Sequence, residues 1–183
     1  MPPVLVLTLR AMRRYARLLL VAVLGASLAV PLLAAPAQAD PVVDPLACSA
    51  AGSYSRIVGG TPTTFWLVTT ESVDRLTTRR YWHLERSRGA GSFWYYGSYV
   101  VVCHGTQIVG STILTGWKKP AALCGTATFT IGDQRYTRVG FHDSYVDEII
   151  VATLYRYVYW RVDESTPAGW NYVTSGYARC SLP

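Results

Sequence analysis

SFWYYGSYVVVCHGTQIVGSTILTGW, residues 92–117, is the longest apolar run beyond the first forty residues, and its reading decides the fold. Side chains alternate sides along a strand, so Phe93, Tyr95, Tyr99, Val101 and Cys103 share one face and Trp94, Tyr96, Val100 and Val102 the other. Both faces are apolar. Such a strand lies inside a sheet covered on each side, or keeps one face for a partner. His104-Gly105 supplies a turn and 106–115 returns as a second β-rich segment, which makes a hairpin.

Outward from this hairpin the chain keeps the same β-branched and aromatic composition between short polar breaks. Strands are predicted over 64–70, 78–86, 92–103, 106–115, 124–131, 134–142, 153–162 and 170–178. The clearest alternation sets Ala127, Phe129 and Ile131 inward against Thr126, Thr128 and Thr130 outward, closed by a Gly132-Asp133 turn. Residues 49–64, rich in Ser, Gly and Thr, read as irregular structure or a short edge strand. One short helix competes near 143–152, where Ser144-Tyr145-Val146-Asp147 fits a capping box and Val146, Ile149 and Ile150 share a helical face. The fold class that follows is all-β, an antiparallel sandwich or small barrel of about eight strands.

Residues 1–39 read as a secretory signal peptide: four arginines at 10, 13, 14 and 17, an apolar stretch over 18–30, and Ala37-Gln38-Ala39 before Asp40. An extended leader over 40–47 then precedes one domain over 48–183. Of 17 basic residues four leave with the signal, so 17 − 4 = 13 face 11 acidic ones and the net charge falls to 13 − 11 = +2. The remaining arginines are scattered, and Lys118 and Lys119 are the only lysines, which argues against nucleic acid as a partner. No later apolar run is long enough to span a bilayer, so no stable membrane anchor is expected after cleavage. Cys48, Cys103, Cys124 and Cys180, an even set in an exported chain, read as two disulfides. Strand placement favours Cys48 with Cys103 and Cys124 with Cys180, whereas closeness along the chain favours Cys103 with Cys124.

Four tryptophans directly follow another aromatic residue, in Phe65-Trp66, Tyr81-Trp82, Phe93-Trp94 and Tyr159-Trp160. Three of these pairs open similar segments, FWLVTTES, YWHLERS and YWRVDES, without a fixed period. Neighbours on a strand point to opposite faces, so the outward rings can form an aromatic platform of the kind that stacks on sugars or anchors a protein interface. Tyr155, Tyr157 and Tyr159 make the best row, with Trp94 and Tyr96 beside it.

Catalytic vocabulary is sparse. Arg56-Ile57-Val58-Gly59-Gly60 resembles the activation junction of trypsin-like proteases, but neither the Ala-Ala-His-Cys nor the Gly-Asp-Ser-Gly-Gly segment of that family follows, so no protease is expected. No G-x-S-x-G elbow occurs. His83, His104 and His142 are widely spaced without an i, i+2 or i, i+4 partner, so no metal and no cofactor are expected. The primary expectation is a secreted, non-catalytic module that binds a carbohydrate, a cell-envelope polymer or an extracellular protein through an aromatic sheet face. The alternatives are a small hydrolase using His142 with Asp143 or Glu85 with Asp163 on adjacent strands, and an inhibitor or toxin-like protein presenting Gly116-Trp117-Lys118-Lys119-Pro120 as a rigid loop. Oligomeric state is left open.

Overall fold

The computed structural model describes residues 44–89, 92–117, 122–148 and 151–182; the expected signal peptide and residues 40–43 of the leader lie outside them. Among the described residues ten strands, two more than expected, form two five-stranded sheets. The first is an antiparallel meander of β1 (Tyr54–Val58), β2 (Thr61–Ser72), β3 (Thr77–Gly89), β4 (Ser92–His104) and β5 (Gln107–Ile113), in that order. The second has the order β6-β10-β9-β8-β7, built from β6 (Gly116–Trp117), β7 (Thr128–Ile131), β8 (Gln134–Glu148), β9 (Val151–Thr166) and β10 (Gly169–Ser181). Within it only the short β6 runs parallel to its neighbour, β10. The helix admitted near 143–152 is absent as far as Glu148: residues 143–148 continue β8, paired to β9 from Asp143↔Arg156 to Glu148↔Val151. Alternation into a covered sheet prevails there over a local capping signal. The one α-helix among the described residues, α1 (Ala122–Gly125), lies instead just before β7 and takes the first two residues of the strand expected over 124–131, and no helix among the described residues is long and apolar enough to cross a membrane.

Two-residue turns set the register where glycine permits it. Val58↔Thr61 closes around Gly59 and Gly60, both at positive φ (56° and 77°), as a primed hairpin turn requires. The protease-like Ile-Val-Gly-Gly is therefore a strand end and its turn. Gly105-Thr106 and Gly132-Asp133 close the two expected hairpins.

The disulfides join Cys48 to Cys103 and Cys124 to Cys180, with sequence separations of 55 and 56. That near-equality reflects a fold made of two similar units. In each, a short turn carrying a cysteine (Pro45–Ala47 with Cys48, then α1 with Cys124) is stapled to the last strand of a four-stranded meander, β1–β4 or β7–β10. Residues 44–47 are thus a 3-10 turn capped by the Asp44 carboxylate, not an extended leader. Under each cap the same three rings recur. Tyr54 stacks on Phe65 at 4.8 Å and meets Trp82 edge-on at 5.3 Å; Phe129 stacks on Tyr136 at 4.9 Å and meets Trp160 edge-on at 5.3 Å. The units also exchange hydrogen bonds reciprocally across the sandwich, Tyr81 Oη with Ser175 Oγ at 2.9 Å and Tyr159 Oη with Ser98 Oγ at 2.6 Å. The similarity of YWHLERS and YWRVDES is the visible part of this repeat.

Three apolar layers result: one between the sheets around Tyr81, Val100, Tyr157 and Tyr159, and one beneath each cap around Trp82 and Trp160. Because the central strands are covered on both faces, Tyr81-Trp82 and Tyr159-Trp160 bury both rings. A bulge in β4, where Glu85 pairs with Tyr95 and Leu84 with Gly97, leaves Tyr96 as the extra residue and reverses the phase of the strand. Tyr95 consequently joins Val100 between the sheets, and Tyr96 joins Tyr99 and Val101 beneath the first cap. Gly176 in β10 has no room for a side chain, because a Cβ there would run into the Trp117 ring.

Candidate functional site

The predicted aromatic row does not form an open platform. Tyr157 and Tyr159 are 1% and 0% exposed, sealed in the layer between the sheets, and only Tyr155 is partly open. The reason is the first sheet, whose Tyr81, Tyr95 and Val100 pack over this face of β9, a cover that no local pattern in β9 announces. Trp94 is brought near Tyr157, whereas Tyr96 is carried away by the bulge and packs under the Arg86 guanidinium at 3.6 Å.

Trp94 and Tyr157 meet at a cavity of about 730 Å³, walled also by Tyr95, Trp117 and Tyr177. Tyr95 stacks on Tyr157 at 4.4 Å, and Tyr177 leans on both at 5.7 and 5.6 Å. Two arginines stand at this aromatic box: Arg88 lies 4.6 Å over Trp94 and Arg179 4.5 Å over Tyr155. Burial pushes the Tyr157 hydroxyl well above the ordinary tyrosine range, against the charge of nearby Arg179. Chemically, the site offers flat apolar faces and guanidinium groups that can grip a carboxylate or phosphate. Of the loop 116–120, Gly116 and Trp117 belong to β6 and this cavity wall; residues 118–120 lie outside the described residues.

A second cluster lies behind the Tyr95–Tyr157 pair. His83 packs 5.0 Å from Tyr95 and 4.9 Å from Tyr157, ring to ring, and its neighbour on the other side is His142, at 4.3 Å. His83 and Glu85 project from one face of β3, and His142 comes from β8 in the opposite sheet. Glu85 Oε1 is 3.8 Å from His83 Nε2 and 3.6 Å from His142 Nε2, while Trp66 Nε1 donates to Glu85 Oε2 at 2.7 Å. Burial raises the Glu85 pKa, but the neighbouring His142, Ser144 and Trp66 side chains outweigh it and hold the carboxyl below its ordinary value. Burial, reinforced by His142, drops His83 well below the ordinary histidine range, so its imidazole is neutral. A cavity of about 440 Å³, lined by Trp66, Phe93 and Tyr145 among others, opens onto Glu85 and His142.

The carboxylate and histidine candidates are thus regrouped. His142 faces Glu85, not Asp143, which turns to a two-pronged ion pair with Arg156 at 2.8 Å for each contact. Glu85 and Asp163 sit in different sheets, on β3 and β9, because they are equivalent positions of the two units and not neighbours. Asp163 Oδ1 accepts from Arg161 at 2.7 Å and Oδ2 from Arg135 at 3.1 Å, so it is committed to structure. His83 was visible in the sequence as His-x-Glu, i and i+2 on one strand face, a signal lost in a search for paired histidines.

Tyr159 supports this cluster from below, its hydroxyl bonded to His83 Nδ1 at 2.6 Å and to Ser98 Oγ. Tyr159→Phe should cost about 1–3 kcal/mol, since it strands two buried polar groups at once. Denaturant midpoints at unchanged m-value would show it; a loss below about 0.5 kcal/mol would mean that those groups find other partners. No protein-family model matches this chain, and no curated protein or solved structure matches it either.

Proposed function

We propose that the protein is an exported, non-catalytic binding module that holds the terminal ring of an acidic carbohydrate in the cavity walled by Trp94, Tyr95, Trp117, Tyr157 and Tyr177. The observation that carries this reading is the pairing of five aromatic rings with Arg88 and Arg179 around one opening of about 730 Å³. Sites for small ligands commonly have this size and composition, mostly apolar walls with a few convergent polar groups. Stacked rings suit the apolar face of a sugar, and guanidinium groups suit its carboxylate. Two disulfides are compatible with an oxidising compartment, and the N-terminal signal pattern supports export.

Calorimetric titration with oligosaccharides ending in a uronic acid, against neutral oligosaccharides of equal length, tests the reading. Binding is expected for the acidic series only. Arg179→Ala and Trp94→Ala should each weaken it by about 10-fold or more, equivalent to at least ~1.4 kcal/mol, with little change in melting temperature. Equal binding of neutral sugars would remove the arginines from the account. No binding of either series would remove the carbohydrate.

A further inference from the structure

We infer that His83, Glu85 and His142 form a binding site for one divalent transition-metal ion of the zinc class. One candidate ligand atom from each of the three residues lies within 4.8 Å of the other two, and Glu85 Oε1 is 3.8 Å from His83 Nε2 and 3.6 Å from His142 Nε2. Bonds of about 2.0–2.2 Å in a tetrahedral zinc site put ligand atoms roughly 3.3–3.5 Å apart, so small side-chain adjustments close the set around an ion. Two imidazoles and one carboxylate favour Zn²⁺ or its late first-row neighbours over Ca²⁺ or Mg²⁺, which take oxygen ligands.

Two further observations point to a ligand. His83 Nε2 is buried and has no hydrogen-bond partner among the described residues, although it points at Glu85 Oε1. An unpaired buried polar atom carries a desolvation cost that a metal bond would cancel. The atoms around the three ligands are also arranged as an outer shell. Tyr159 Oη meets His83 Nδ1, so the tautomer with Nδ1–H donating to that oxygen leaves the Nε2 lone pair free for an ion. Trp66 Nε1–H occupies Glu85 Oε2 and leaves Oε1 between the imidazoles.

Comparison of the two units argues that this arrangement is particular to one of them. Where the first has His83 and Glu85, the second has Arg161 and Asp163, and there Arg161 and Arg135 neutralise the carboxylate directly. One ion per chain is therefore expected. Three protein ligands leave a fourth position on the side of the 440 Å³ cavity, where water or a small anion completes the sphere. The site is distinct from the Arg179 cavity, so either assignment can fail without the other.

The test uses the full secreted chain, freed of metal by chelator and titrated with Zn²⁺ in a calorimeter and with Co²⁺ by visible absorption. Expected are one Zn²⁺ per chain, a strong four-coordinate Co²⁺ spectrum, and a rise in melting temperature with added Zn²⁺. His142→Ala and Glu85→Gln, both nearer the surface than His83, should abolish the Co²⁺ spectrum while circular dichroism stays unchanged. Trp66→Phe should weaken Zn²⁺ by about 10-fold by releasing the carboxylate, and His104→Ala, far from the cluster, should bind normally. Absence of saturable binding in the wild-type chain would overturn the inference, as would full retention of the Co²⁺ spectrum in His142→Ala.

Discussion

Replacing Trp160 by alanine is expected to destabilise the protein by about 3–5 kcal/mol, the range for deleting a fully buried large aromatic side chain. Trp160 is wholly buried beneath α1, edge-on to Phe129, and its Nε1–H donates to the Leu123 carbonyl at 3.2 Å. Nothing on the surface side can collapse into the hole without dragging α1 inward, and α1 is tethered by Cys124 to Cys180. Domains of this kind hold about 5–15 kcal/mol in total, so the loss is a large fraction of the whole. The melting temperature should fall by roughly 6–20 °C, at 2–4 °C per kcal/mol. Trp82→Ala should cost a similar amount, because Trp82 fills the equivalent place against Tyr54 under the other cap. The phenylalanine variants separate the two sites. Trp82 Nε1 has no hydrogen-bond partner among the described residues, whereas Trp160 Nε1 has one. Trp160→Phe should therefore cost about 1 kcal/mol more than Trp82→Phe, a difference that denaturant titration resolves. A cost below 1 kcal/mol for either alanine variant would contradict the three-layer core.

Loss of either disulfide is expected to cost about 4 kcal/mol on the loop-closure argument, since each closes a loop of 55 or 56 residues. The global penalties should match because the loops match. Local consequences should not. The first cap keeps independent ties when Cys48 and Cys103 are both changed to alanine: Arg80 donates to the Ala47 carbonyl at 2.8 Å and to the Ala50 carbonyl at 2.6 Å, and Arg56 pairs with Asp44 at 2.7 Å. The second cap is held, besides its disulfide, by packing of Leu123 and by the Trp160 hydrogen bond. Native-state hydrogen exchange should thus show residues 122–126 opening readily in the Cys124→Ala/Cys180→Ala variant. Residues 46–50 should stay protected in the Cys48→Ala/Cys103→Ala variant. Similar exchange at both caps would mean that the arginine contacts do not anchor the first one.

The two unit cores also explain why the repeat is hard to see in the chain. What is kept between the units is a set of roles: a ring opposite a ring across a hairpin, a Tyr-Trp pair on a central strand, a serine facing the partner unit's tyrosine, and a cysteine at the last strand. Those roles tolerate exchange of Tyr54 for Phe129 and of Phe65 for Tyr136, since stacking needs only flat rings of similar size. Between these anchors the composition drifts. Trp82 and Trp160 with their preceding tyrosines survive because a core position covered on both faces admits little else.

Alternation of side chains and the placement of glycine turns are local properties, and for that reason the central parts of the long strands β2–β5 and β8–β10, the hairpins at 105 and 132 and the all-β class could be read directly from the chain, whereas β6 and the helical turn at 122–125 could not. The even cysteine count, likewise, was enough to expect two bridges. Which faces became interior was a different matter, decided by the packing of each sheet on the other and by the two stapled caps, which together cover both sides of β3 and β9 and bury Tyr157 and Tyr159. The bulge at Tyr96 reversed the phase of β4 for a reason that its own residues do not display. The His83–Glu85–His142 cluster belongs to the same category: β3 brings two of its members together by simple alternation, but His142 arrives only because β8 packs across the sandwich, and contacts between sheets leave no periodic trace in a linear sequence.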